Sequence, residues 1–135
     1  VKIIADTNIL VRVVVADDVS QAQIALRILA IADAVIIPLH CLCEFAWVLD
    51  RTYRLPRESV ALSIRAIVQR ANVTTDFRAV DAGLNVLEAG GDFADGVIAA
   101  VGISMGGETF VSFDGRAVDR VIAIGIQARN ALDFA

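Results

Sequence analysis

Apolar residues along this chain arrive in two rhythms: short unbroken runs, and longer stretches in which they recur every third or fourth position. Runs bounded by polar punctuation predict buried strands, and the 3.6-residue rhythm predicts helices with one face turned inward. "VKIIA" is such a run, giving way at Asp6-Thr7-Asn8 to a helical stretch through about Val15. Ser20 is placed to cap a second helix with Ala25, Ile28, Leu29 and Ala32 on one face. "AVIIP" is the next strand, and after Pro38 the positions Leu42, Phe45, Ala46 and Leu49 mark a helix running to about Arg54, with Glu44 inside it.

From Arg57 to about Arg70 a further helix aligns Val60, Ile64, Ile67 and Val68, and "NVTT" follows as a strand. Asp76 is placed to cap a helix faced by Val80, Leu84 and Leu87, which Gly90 closes in the left-handed conformation. The segment "GGDFADGVIAAVG" opens another helix at Asp92, and Gly106-Gly107 stop it. "ETFVSF" is a strand, a last helix starts near Arg116 behind Asp114, and "IQARNAL" adds an edge strand. Short strands alternating with helices predict an α/β fold with a largely parallel central sheet and helices on both faces. No repeat, low-complexity tract or linker interrupts the pattern, so one domain over residues 1–135 is expected.

Composition sharpens this picture. Hydrophobic residues make up 57% of the chain and mean hydropathy is +0.67, high enough to raise the question of a membrane. The longest uncharged run, Gly96 to Gly107, is interrupted by glycines and falls short of the roughly 18 residues a spanning helix needs. A buried helix and a subunit interface are the expected uses of that hydrophobicity, and the lack of a signal-like start leads to a cytoplasmic expectation. Cys41 and Cys43, with His40, spell "HCLC". Two residues apart on a helix they point to different sides, and no second Cys or His cluster completes a zinc site, so both are expected to be reduced and buried.

A net charge of −4 and a pI near 4.8 argue against a protein that holds nucleic acid by bulk charge. They leave a nuclease open, because divalent cations among clustered acids offset the charge locally. All basic residues but Lys2 are arginine, and Arg51, Arg54 and Arg57 cluster most tightly, either as a solvated helix end and loop or as a phosphate track.

In parallel α/β sheets, ligands bind beyond the carboxyl ends of the strands. Asp6 ends the first strand and Asp114 the last long one, Glu44 lies about a turn into a helix that follows a strand, and Asp95 opens another helix. The four are therefore placed to meet at one edge. Each has a local alternative: Asp6, Asp92 and Asp114 as helix caps, Asp95 at the third helical position, Glu44 on a solvated face. The immediate neighbours of Glu44 are all apolar, which argues for burial beside a partner. Clustered carboxylates repel one another unless a cation sits among them, and an all-oxygen donor set favours magnesium or manganese. Such a centre can hydrolyse a phosphodiester with metal-activated water.

"IIADTNIL", Glu44 in "LCEFAWVL", "DFADGVIAAVG" and "FVSFDG", in this order and spacing, resemble the PIN-domain ribonucleases, specifically the VapC-type toxins of type II toxin–antitoxin pairs. The resemblance implies a PIN-like three-layer sandwich and a magnesium-dependent endoribonuclease. It implies that Asp6, Glu44, Asp95 and Asp114 are the catalytic quartet holding Mg2+ or Mn2+, supported by Thr7, Asn8 and Ser112. Asp92 is first a helix cap and second a water-mediated metal contact. The implied partners are an RNA substrate, an antitoxin protein whose C-terminal segment wraps over the toxin, and a second copy in a homodimer, with no membrane.

Two other readings stay open. A catalytically inactive PIN-like RNA-binding or protein-interaction module would be expected to lose an acid, whereas all four positions are filled. A phosphoacceptor receiver domain would need a lysine after a late strand, and Lys2 is the only lysine. Other chemistries fail on the letters. "GISMG" matches the G-x-S-x-G elbow of serine hydrolases, yet the only histidine, His40, precedes it. No P-loop occurs, and Asn8 stands where a haloacid-type phosphatase has its second aspartate.

Overall fold

The computed structural model describes residues 1–134, which form two compact units, residues 1–76 and residues 77–134. In the first, β1 (Lys2–Ile4) leads into α1 (Thr7–Val14) and α2 (Val19–Ile31), followed by β2 (Ala34–Ile36), α3 (Leu39–Arg51), α4 (Arg57–Val68) and β3 (Val73–Thr74). The three strands lie in the order β1-β2-β3 and every pairing is parallel, with Ile3 opposite Val35 and Val35 opposite Val73. A parallel pair needs a long crossover, and here each crossover is a pair of helices. Leu10, Leu29, Val35, Ile37, Leu42, Phe45, Leu49 and Ile64 are fully buried in this unit. Asn72 closes the end of α2 from the far side of the chain, its Nδ2 donating to the carbonyls of Leu29 at 2.8 Å and Ala32 at 3.0 Å.

The second unit contains α5 (Phe77–Glu88), α6 (Phe93–Ser104), β4 (Phe110–Ser112), α7 (Gly115–Ala123) and β5 (Ala128–Asn130), with a 3-10 turn over Ala131–Asp133. β4 and β5 pair in parallel, Phe110 opposite Ala128, with α7 as the crossover. α5 ends at Glu88, and Gly90 just beyond it has the φ of +98° of the left-handed stop that its position after the helix predicts. α5 and α6 approach closely because glycines face the contact: a Cβ on Gly96 would lie 2.3 Å from the carbonyl oxygen of Ala82. The α/β class and the parallel pairing follow the alternation of runs and periods along the chain, and the "IQARNAL" segment supplies β5.

Several boundaries differ from the sequence pattern, each for a local reason. α2 is capped by Asp18, whose Oδ1 accepts from the Gln21 amide at 3.0 Å, so Ser20 lies inside the first turn. α3 stops at Arg51, not Arg54. The backbone turns over at Arg54 in the left-handed region (φ 53°), the Leu55 amide reaches back to the Leu49 carbonyl at 3.0 Å, and Pro56 follows. α4 ends at Val68 and Arg70 begins the turn into β3, its carbonyl accepting from the Val73 amide. Among the described residues no helix is long and apolar enough to cross a membrane.

Candidate active site

β1 delivers the chain to Asp6 at the start of α1. Asp6 is extended (φ −82°, ψ 160°), and its Oδ1 accepts from the Thr7 amide at 2.8 Å, which fixes the carboxylate at the helix N-terminus while leaving the residue exposed. Asn8 is exposed on the first turn of α1, and Thr7 is buried at 6% exposure. Asp6, Thr7, His40, Cys41 and Glu44 together line an open pocket of about 350 Å³ in this unit. Asp6 and Glu44 therefore share a pocket. Their charges are felt at Cys41: burial pushes that thiol's pKa up, hydrogen bonding with Thr7 works against the rise, and the carboxylates of Asp6 and Glu44 add to it.

Glu44 is exposed, which corrects the expectation drawn from its apolar neighbours. Successive helical residues are 100° apart, so Leu42, Phe45, Ala46 and Leu49 face the core while Glu44 points away between them. His40, one turn before Glu44, and Cys41 join it at the pocket. The sequence signal for them was their i,i+4 and i,i+3 spacing to Glu44, which matters more than the "HCLC" string. Cys41 is buried as expected, but Cys43 is only half-buried. Its thiol is pushed up to about 11 by burial and so stays protonated at neutral pH.

In the second unit Asp92, Asp95 and Asp114 stand at the starts of two helices, and the charges of the first and last act on Asp95. Asp92 occupies the N-cap position of α6, yet its side chain makes no capping hydrogen bond, so its carboxylate does not perform the capping role assigned to it from sequence. The Asp92 carbonyl, not the carboxylate, accepts from the Asp95 amide, at 3.1 Å. Burial raises the pKa of Asp95, and the charges of Asp92 and then Asp114 raise it further. Asp114 does cap its helix: Oδ1 accepts from the Arg116 amide at 3.0 Å and the Ala117 amide at 3.3 Å. Ser112 supports it from β4, its Oγ accepting from the Asp114 amide at 3.0 Å.

The acids thus come as two groups, Asp6 with Glu44 in the first unit and Asp92, Asp95 and Asp114 in the second. Among the described residues no three His, Cys, Asp or Glu side chains stand in a geometry that would hold a metal ion. An oxygen-only set of this kind suits a hard cation chemically, and a cation would offset the Asp92 and Asp114 charges that add to the effect of burial on Asp95.

Comparison with curated proteins gives no match, and comparison with solved structures gives none. The PIN domain family matches residues 3–122, a span that reaches into both units and includes all five acids. PIN domains are typically metal-dependent nucleases that act on RNA, built as α/β sandwiches with parallel strands. On a match of that extent the chain belongs to the PIN domain family.

Proposed function

We propose that this PIN domain is an endoribonuclease dependent on Mg2+ or Mn2+, that Asp6, Glu44, Asp95 and Asp114 are its catalytic and metal-holding acids, and that it serves as the toxin of a toxin–antitoxin module. The observation that carries the reading is the start of α6, where Asp92 and Asp95 bring two carboxylates to a helix end without a side-chain cap from Asp92. A protein using these residues only as punctuation gains nothing from a half-buried acid beside two more acids.

The remaining residues have roles that fit. The Thr7 amide holds one oxygen of Asp6, and the Arg116 and Ala117 amides hold one oxygen of Asp114, so in each case the second oxygen is left for a ligand. Ser112 sets the backbone that carries Asp114, and Asn8 offers an exposed amide beside Asp6 for substrate. Asp92 contacts the ion through water. A divalent cation, when bound, supplies charge against the scissile phosphate and a water of lowered pKa. One domain over residues 1–135 performs this chemistry in the cytoplasm. Exposed Ile24, Leu26, Ile31 and Leu62 on the first unit support apolar contacts with an antitoxin or a second copy in a homodimer.

Divalent-ion binding by calorimetry and cleavage of single-stranded RNA, measured on the same preparation, test the reading. The nuclease shows both. A receiver domain shows metal binding without cleavage, and an inactive binding module shows neither. Asp6→Asn and Asp95→Asn abolish cleavage with the circular dichroism spectrum unchanged; full activity in Asp95→Asn reduces that residue to helix punctuation. Expression of the wild type arrests growth, and co-expression of a neighbouring small open reading frame relieves the arrest.

A further inference from the structure

α3 carries more than Glu44 toward solvent. His40, Glu44, Trp47 and Arg51 fall at i, i+4, i+7 and i+11, so they lie within one narrow stripe along the helix. All four are exposed, and Trp47, the only tryptophan in the chain, is 58% exposed. The stripe starts at the pocket shared by Asp6, His40 and Glu44 and runs away from it. From Glu44 to Arg51 it covers about 10 Å along the helix axis. At its far end stands the exposed guanidinium of Arg51, and the exposed Arg54 follows in the turn after the helix.

An indole is costly to leave in water, and its surroundings on the helix indicate what covers it. The positions three and four residues away are Cys43, Glu44, Asp50 and Arg51, so its neighbours along the helix face are mostly polar. Protein partners bury contiguous apolar patches, whereas an isolated aromatic face flanked by a cation matches a nucleobase with its phosphate. Arg51 meets Asp50 through Nε at 3.3 Å, and its terminal nitrogens are left for that phosphate.

We propose that Trp47 is a stacking platform for a base of single-stranded RNA leaving the acidic pocket, with Arg51 on an adjacent phosphate. The proposal rests on the ribonuclease reading and names a binding residue for its substrate. Base–aromatic stacking tolerates any base, so Trp47 contributes affinity and direction of the strand rather than choice of sequence.

Because Trp47 is the sole tryptophan, its own fluorescence reports the contact. With calcium in place of magnesium to hold back cleavage, titration with a short single-stranded oligoadenylate quenches the emission of the wild type. In magnesium, Trp47→Ala raises KM for the same oligonucleotide roughly ten- to a hundredfold with kcat nearly unchanged, and Trp47→Phe restores most of the loss. Emission that is silent while the oligonucleotide is bound, or a wild-type KM in Trp47→Ala, overturns the proposal. A changed sedimentation mass in Trp47→Ala with KM unaltered overturns it too, and assigns the ring to a contact between copies. A wild type that neither binds nor cuts RNA brings down the nuclease reading itself, a result distinct from an active nuclease whose tryptophan is silent.

Discussion

Burial holds the Asp95 carboxyl above its ordinary pKa, and Asp92, three residues earlier and with no side-chain bond to the helix it precedes, adds to the shift. A carboxyl whose pKa is raised by folding binds its proton more tightly in the folded state than in the unfolded one. Its contribution to stability is therefore intact below the ordinary value of 3.8 and is lost as pH rises through the raised value. The difference in melting temperature between wild type and Asp95→Asn isolates this group from the other acids. Without divalent ions the variant gains on the wild type as pH rises through that window, and the gap then stays level up to neutrality. Manganese then narrows the gap by stabilising the wild type, by about 2.7 kcal/mol at a hundred times its dissociation constant. Parallel pH curves with and without the substitution would remove the repulsion from the account.

The exposure of Glu44 separates its chemistry from the fold. Removing the charge from a buried, partnered acid costs several kcal/mol, but a solvent-facing position on α3 tolerates it. Glu44→Gln is expected to stay within about 0.5 kcal/mol of the wild type in urea denaturation. In the same protein, RNA cleavage and manganese affinity fall by at least tenfold. A large loss of stability in this variant would mean that the carboxylate has a structural partner.

What could be read in the sequence was whatever depends on near neighbours along the chain. The β1 and β2 runs, the faces of α4 and α5, the Asp114 cap and the Gly90 stop all follow from spacing of two to four residues. The misreadings lie where a local rule had two candidates. Ser20 and Asp18 are both good caps, and only the path of the chain before α2 selects Asp18. Arg54 takes a left-handed conformation that glycine normally signals, so only Pro56 marks the end of α3 and does not fix its last residue. Glu44 is exposed although its sequence neighbours are apolar, because adjacency along a helix is not adjacency on one face. Asp92 stands at the cap position that the sequence pattern predicts, but position alone does not make the bond, and its side chain leaves the helix amides uncapped.

The cap of α2 offers a direct check. Asp18 satisfies the Gln21 amide through its side chain, and Ser20 makes no corresponding bond at that helix start. Asp18→Ala is expected to cost about 1 kcal/mol, and Ser20→Ala to change stability by only a few tenths. Chemical denaturation of the two variants side by side decides it; equal losses would mean that Ser20 shares the cap.

The contact between α5 and α6 predicts an asymmetry between two glycines. A methyl group on Gly96 would meet the Ala82 carbonyl oxygen at 2.3 Å and the Gly83 Cα at 2.7 Å, all of it backbone. Backbone cannot swing aside, so Gly96→Ala must push the two helices apart. The same change at Gly83 meets the Phe93 ring at 2.7 Å and a Val97 methyl at 2.9 Å, and these are side chains that can shift at some cost in packing. Gly83→Ala is expected to lose about 1–3 kcal/mol, the usual range for overpacking a core, and Gly96→Ala to lose more. The readout carries over to function, because α6 positions Asp95: an α6 displaced from α5 moves that carboxylate relative to Asp114. Gly96→Ala is therefore expected to lose RNA cleavage under conditions where part of the chain is still folded by circular dichroism, while Gly83→Ala keeps activity in proportion to its folded fraction. Equal stability of the two variants in urea would show that the helices part more easily than their backbone contact implies.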